Sequence, residues 1–294
     1  MPRRIVARPF YRPETAEHRY LGECPRVIGG QLLWVSIQYG PESEEGGLNV
    51  LDLTTRACRH HRLPGRPGFF VETQQPGLLV IGLERRLVRY DLAAARVTET
   101  LAELPDDPRV IINDGIAVPG GVLFGTKDLA FRQPIAAIYH FDFAAGKLRE
   151  VLGGQTCSNG KYLHDGLLVD IDSTPRTITE YRYDGGLERL RLIAPPEALP
   201  AIPDGLRPTA GGDAIVVAFV NLDTRHDGLA QEIRLSDGAV LTEWFFPGAP
   251  RVTCPEFGVI DGEPCLFFTT ATEGIPTEEL PLAPEAGTIF VASV

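Results

Sequence analysis

Four short stretches carry side chains suited to holding a hard cation or moving a proton: LGECP with Glu23, INDG with Asn113, SNG with Asn159 and PDGL with Asp204. Together they offer two carboxylates and two carboxamides. Such a set of hard oxygen donors suits Ca²⁺, Mg²⁺ or Mn²⁺ and also admits Zn²⁺ or Fe²⁺. Singly, each stretch is ordinary turn chemistry, because Asn and Asp tolerate left-handed backbone and NG and DG mark hairpins. In VIINDGIAVPG, Asp114 and Gly115 are expected only to shape a bend, leaving Asn113 as the residue with a chemical role. What sets the four apart is their phase in a repeat.

Apolar segments begin at Leu32, Leu78, Val122, Leu167, Ile215 and Leu266, spaced 44 to 51 residues apart. A Gly-rich or polar turn precedes each segment, and an alternating segment follows it. Apolar strands beside alternating ones are what a sheet buried on two faces requires. A repeat of about 40–50 residues holding several strands is propeller-like. The expected fold is therefore all-β, a six-bladed β-propeller with a central metal-binding channel. Residues 1–294 are expected to form one domain, with residues 1–20 completing the last blade. Counting back from each apolar segment picks out Glu23, Phe69, Asn113, Asn159, Asp204 and Phe257, which a propeller would place in one ring. In that ring the oxygen-bearing residues form a metal site, and Phe69 and Phe257 line one wall of its pocket.

Composition narrows the function classes. A 294-residue chain, 44% hydrophobic and 23% charged, can bury a sizeable core. Its net charge of −11 argues against a nucleic-acid partner, because phosphate binding needs a basic surface. No apolar run resembles a signal peptide or a membrane span. Five cysteines without a CxxC pair read as reduced thiols in a cytoplasmic protein.

LGECP with LLWVS, INDGIAVPGGVLFGT, SNGKYL, DSTPRTITEYRYD, PDGL, VTCPEFG and the closing TIFV resemble, in order, the regucalcin, gluconolactonase and luciferin-regenerating enzyme family. The resemblance runs from about Leu21 to Val294. It implies a six-bladed propeller with one divalent metal, held here by Glu23, Asn159 and Asp204, with Asn113 near metal and substrate. Family lactonases acting on sugar acids often carry Arg two residues before the NDG Asn; here that position is Ile111, with Arg109 two further back.

A metal-dependent lactonase of the gluconolactonase type is the function these features point to, with one divalent ion (Ca, Zn, Mn, Mg or Fe) as cofactor and a small-molecule lactone as substrate. Asp204, in a PDGL turn that reads as mobile, is the expected general base. Asn113 would hold a substrate oxygen or a water, and Lys127, after the third apolar strand, can reach a substrate carboxylate. Ile111, Phe69 and Phe257 lean towards a second reading, a phosphotriesterase or arylesterase. A third is a cation- or ligand-binding propeller without catalysis. Asp170 and Asp172 alternate on one strand, Asp172 reading as solvated or turn-bonded. His60, His61 and His164 read as surface groups, and Cys157 and Cys254 have no basic partner in the sequence to make them thiolates.

Overall fold

The computed structural model describes residues 1–105 and 107–294. Its strands form six sheets, each containing four antiparallel strands, and the fold is a six-bladed β-propeller. Blade one comprises Gly22–Ile28, Gln31–Ser36, Gly46–Asp52 and Cys58–Leu63. Blade two comprises Pro67–Glu72, Leu78–Leu83, Arg86–Asp91 and Arg96–Glu103. Blade three comprises Val110–Val118, Gly121–Asp128, Ala136–Asp142 and Lys147–Gln155. Blade four comprises Ser158–His164, Leu167–Asp172, Thr177–Tyr183 and Leu187–Ala194. Blade five comprises Ile202–Pro208, Ala214–Val220, Gly228–Arg234 and Val240–Phe246. Blade six comprises Val252–Ile260, Glu263–Thr270 and Ile289–Ser293.

The N-terminal segment supplies the remaining strand pairings. Arg8–Tyr11 lies antiparallel to Ile289–Ser293 as the fourth strand of blade six. Arg3–Val6 adds a fifth strand to blade five, parallel to Val240–Phe246. Among the described residues no helix is long and apolar enough to cross a membrane.

Two compact units divide the blades. Met1–Pro64 with Leu199–Val294 holds blades one, five and six, and Gly65–Ala198 holds blades two, three and four. The sequence accounts for both interiors. In each blade the second strand is almost wholly buried, as AIVVAFV and EPCLFFTT show, because both its faces meet apolar neighbours. In the first unit Phe246, Phe268 and Phe290 pack edge to face, with Trp244, Val216 and Leu266 in the same cluster. In the second, Leu123, Ile138, Leu168 and Tyr181 fill the corresponding space between blades three and four. Each fully buried large apolar side chain contributes about 1.5–3 kcal/mol. The five cysteines are free thiols, and four of them are buried.

Candidate active site

Every blade's first strand breaks its ladder once. In blade three Ile112 pairs with Thr126 and Gly115 with Phe124, so Asn113 and Asp114 together face one residue of the next strand. In blade four Ser158 pairs with Asp172 and Lys161 with Asp170, leaving Asn159 and Gly160 unpaired. In blade five Pro203 and Leu206 flank the unpaired Asp204 and Gly205. In blade one Glu23 still pairs with Val35, and the unpaired residues are Cys24 and Pro25. A bulge of this kind re-aims side chains without ending the strand. INDG is therefore not a bend between two strands: it lies inside the nine-residue strand Val110–Val118. PDGL is likewise no mobile turn, since Asp204 sits within Ile202–Pro208 at 8% exposure.

In the first unit, Glu23 and Asp204 are the two carboxylates of the expected set, both nearly buried. Cys24 adopts left-handed backbone, uncommon for a residue with a Cβ, and its N–H donates back to Glu23 Oε2 at 3.3 Å. Three residues beyond each carboxylate lies an arginine. Arg207 Nε donates to Glu256 Oε2 at 2.9 Å, and Arg26 Nη1 reaches the same oxygen at 3.3 Å. Both arginines also donate to the carbonyl of Pro25, which the bulge has removed from the ladder.

In the second unit, the Asn113 side chain is oriented by its partner. Its Nδ2 donates to the Ser158 carbonyl at 3.1 Å, and a carbonyl can only accept. The carboxamide oxygen is thereby the atom Asn113 has to offer. The same nitrogen lies 3.6 Å from Cys157 Sγ. Asn159 Nδ2 donates to Ser173 Oγ at 3.1 Å, again turning the oxygen away from that partner. These orientations match what a hard cation requires of a carboxamide. Gly68 in blade two presses on the backbone here: a Cβ at that position would lie 2.1 Å from the Asn113 carbonyl oxygen. Gly68→Ala is expected to displace the strand carrying Asn113 and to cost about 1–3 kcal/mol in denaturant unfolding. An unchanged midpoint would show that the strand yields freely.

Asp114 does more than shape a bend. It is buried, its Oδ1 accepts from the Gly115 N–H at 2.7 Å, and its Oδ2 has no hydrogen-bond partner among the described residues. Burial pushes its carboxyl above the usual carboxylate range, partly offset by Lys161. Lys161 and Asp170, cross-strand partners of blade four, form an ion pair of 3.3 Å with side chains 0% and 1% exposed. Burial raises Asp170 to about 6, against the pull of Lys161 and of the Ser158 hydroxyl. Asp172 is bonded, not solvated: it accepts from the N–H groups of Cys157 at 2.8 Å and Thr156 at 3.0 Å.

The expected substrate contacts fall in different places. Phe69 is 0% exposed, stacked on Phe124 with ring centroids 5.8 Å apart, and fills the space beside Gly82 and Gly115. It is core, with no face left to line a pocket. Phe257 pairs with Leu266, beyond the ladder break at Thr253, and packs against the core of blades five and six. Leu266 is reached three pairs into the blade-six hairpin, where Val122 is reached one pair into that of blade three, which is why counting from the apolar segment placed Phe257 in the ring. Ile111, 2% exposed, stands directly across from Lys127. The Lys127 ammonium makes no hydrogen bond or ion pair among the described residues and lies 5.6 Å from the Phe131 ring centroid. Arg109 is exposed and held by Asp107 at 2.7 Å and Gln133 at 3.2 Å. His60, on the outer strand of blade one, stacks on His18 with centroids 3.8 Å apart.

Among the described residues no three His, Cys, Asp or Glu side chains gather into a metal-sized group. The expected donors include only two residues of those types, Glu23 and Asp204, the others being carboxamides.

Comparison with known proteins agrees with this architecture. The family model described as SMP-30/Gluconolactonase/LRE-like region matches residues 21–272. The L-arabinolactonase of Azospirillum brasilense is 25% identical over 245 residues, covering 78% of this chain and 75% of that protein. The calcium-binding protein regucalcin from Agrobacterium tumefaciens strain C58 superposes with a TM-score of 0.85 at 20% identity, over 100% of this chain and 96% of the other. A gluconolactonase from Xanthomonas campestris superposes with a TM-score of 0.68 at 16% identity, over 98% of this chain and 96% of that one.

Proposed function

The chain belongs to the SMP-30/gluconolactonase/LRE-like family, and from that premise we propose that it is a divalent-metal-dependent lactonase acting on sugar-acid lactones. The observation that carries the reading is the placement of Asn113, Asn159 and Asp204 on the unpaired bulges of their strands, with Glu23 one residue before its own. Glu23, Asn159 and Asp204 would hold the ion, and Asn113 would offer its carboxamide oxygen beside it. Bound there, a divalent ion supplies Lewis-acid polarisation of the ester carbonyl and stabilises the developing oxyanion.

The chain's own groups account for the remaining chemistry. Asp204 takes a proton from water as the water oxygen bonds to the lactone carbonyl carbon. The ring C–O bond then breaks, and the departing oxygen takes that proton, giving the open hydroxy acid. General-base help of this kind contributes about 10²–10⁴-fold. Glu23, tied to its own bulge through the Cys24 N–H, has a holding role.

Lys127 takes the part that an arginine plays at the Ile111 position in sugar-acid lactonases. Cross-strand partners project to the same face, so an ammonium opposite Ile111 can contact substrate oxygens from the neighbouring strand. Lys127→Met is expected to raise KM for aldonolactones about tenfold with kcat nearly unchanged, the mark of lost uniform binding. Unchanged KM would remove Lys127 from the substrate contacts.

With Phe69 in the core and Phe257 packed against the core of blades five and six, the aromatic-ester reading keeps only Ile111 in its favour. A second reading, cation binding without turnover, draws on the calcium-binding relative. A panel of aldonolactones, aryl esters and phosphotriesters separates the three. Turnover confined to the lactones is the expected result, and turnover of aryl esters or phosphotriesters alone would overturn it.

A further inference from the structure

A bulged residue loses its ladder partners, and its backbone carbonyl must find a donor elsewhere. At the blade-four bulge that donor is a lysine: Lys161 Nζ lies 2.5 Å from the Asn159 carbonyl oxygen. Asp170 Oδ1 holds the same ammonium at 3.3 Å and accepts from Ser158 Oγ at 2.9 Å. The Ser158 carbonyl in turn accepts from Asn113 Nδ2. One buried ion pair thus reaches both carboxamides, Asn159 through its own backbone and Asn113 through Ser158. Room for the arrangement comes from Gly125 in blade three, where a Cβ would lie 2.3 Å from Ser158 Oγ and 2.7 Å from Lys161 Nζ.

Such a pair is a poor source of stability. Removing two charges from water costs about as much as their attraction returns, and apolar replacements of similar volume are often neutral or stabilising. What the pair supplies here is position. We propose that Lys161 and Asp170 are positioning residues that fix the Ser158–Asn159 bulge, so that the Asn159 and Asn113 carboxamide oxygens are presented together as ligand and substrate donors. The inference rests on the reading of those two asparagines given above. Outer contacts of this kind typically change metal affinity by about 10–100-fold.

The test uses the full-length protein and the double variant Lys161→Met/Asp170→Leu, which removes both charges at once. Three quantities are read: unfolding without metal, the side-chain amide NMR signals of Asn113 and Asn159, and Ca²⁺ affinity by calorimetry. The amide signals are assigned with Asn113→Asp and Asn159→Asp. Unfolding should stay close to the parent, both amide signals should move towards those of solvent-exposed asparagine, and the Ca²⁺ Kd should rise about tenfold or more. A folded double variant with unchanged amide signals and unchanged Kd overturns the proposal. Should the double variant fail to fold, Ser158→Ala decides. It removes only the hydroxyl on Asp170 and should shift the Asn113 signal, whereas an unmoved signal counts against the proposal. If the parent itself binds no Ca²⁺, Mg²⁺, Mn²⁺ or Zn²⁺, the metal reading fails. The amide signals still decide the positioning role, supporting it if they move and refuting it if they do not.

Discussion

Asp204→Ala is expected to lower kcat/KM for aldonolactones by at least about 10²–10⁴-fold, the range that general-base help alone covers, and to weaken divalent-ion binding as well. The two losses can be separated. Asp204→Asn keeps an oxygen at the same bulge but cannot accept the proton, so it should retain more ion affinity than the alanine variant while turning over as slowly. The position favours an intact fold in both variants. Asp204 lies outside the ladder pairing of Ile202–Pro208, and the strand is held by Pro203 against Phe219 and Leu206 against Val217. Full activity in Asp204→Ala would exclude it as the base.

The second large effect is on stability. Lys161→Met alone strands Asp170, 1% exposed, without its counter-charge. Breaking one side of a buried pair typically costs about 3–5 kcal/mol, and denaturant unfolding at pH 8 should show a loss of that order. The loss should depend on pH with a definite sign. In the folded protein Asp170 already sits at about 6, above its ordinary value of 3.8, through burial. Without Lys161, which holds it down, it must move higher still. A carboxyl raised on folding binds its proton more tightly in the folded state than in the unfolded chain. Stability therefore falls as pH rises from about 4 through the folded pKa. The variant's deficit should be smallest near pH 5 and grow towards pH 8. A deficit that grows towards acid would contradict the assignment, and the Lys161→Met/Asp170→Leu double variant should recover most of the loss.

Much of this architecture is legible in the sequence. The six apolar segments from LLWVS to LFFTT coincide with the second strands of the six blades, because a strand buried on both faces must be apolar throughout. The oxygen-bearing residues Asn113, Asn159 and Asp204 were found by phase, but their setting was not. NDG, NG and DG read as turns because a bulge inside a strand uses the same permissive residues as a hairpin. Phe257 is displaced for a different reason. Three strand pairs precede Leu266 in the blade-six hairpin where one precedes Val122 in blade three, and nothing in VTCPEFG marks the difference.

The Lys161–Asp170 pair was within reach. The two-residue turn Asp165–Gly166 sets His164 against Leu167, and counting back three residues on each strand brings Lys161 opposite Asp170. A lysine facing an aspartate across a hairpin, with apolar Leu163, Leu168 and Val169 between them and the turn, is the signal. Arg207 and Glu256 offered no such clue, since they come from different blades and meet only through tertiary packing. Lys127 shows the converse. Its position after VLFGT was plain, yet its partnership with Ile111 emerges only from the register that follows the bulge.

The central claim, that this chain opens sugar-acid lactones with a divalent ion held by Glu23, Asn159 and Asp204, is tested most directly by one assay. Hydrolysis of gluconolactone and arabinonolactone is followed by acid release before chelation, after chelation, and after return of Ca²⁺, Mg²⁺, Mn²⁺, Zn²⁺ or Fe²⁺ singly. The account predicts turnover that chelation abolishes and at least one of these ions restores, with no restoration in Asp204→Ala. Turnover undiminished by complete removal of metal, or none on either lactone with any of the five ions, would contradict it.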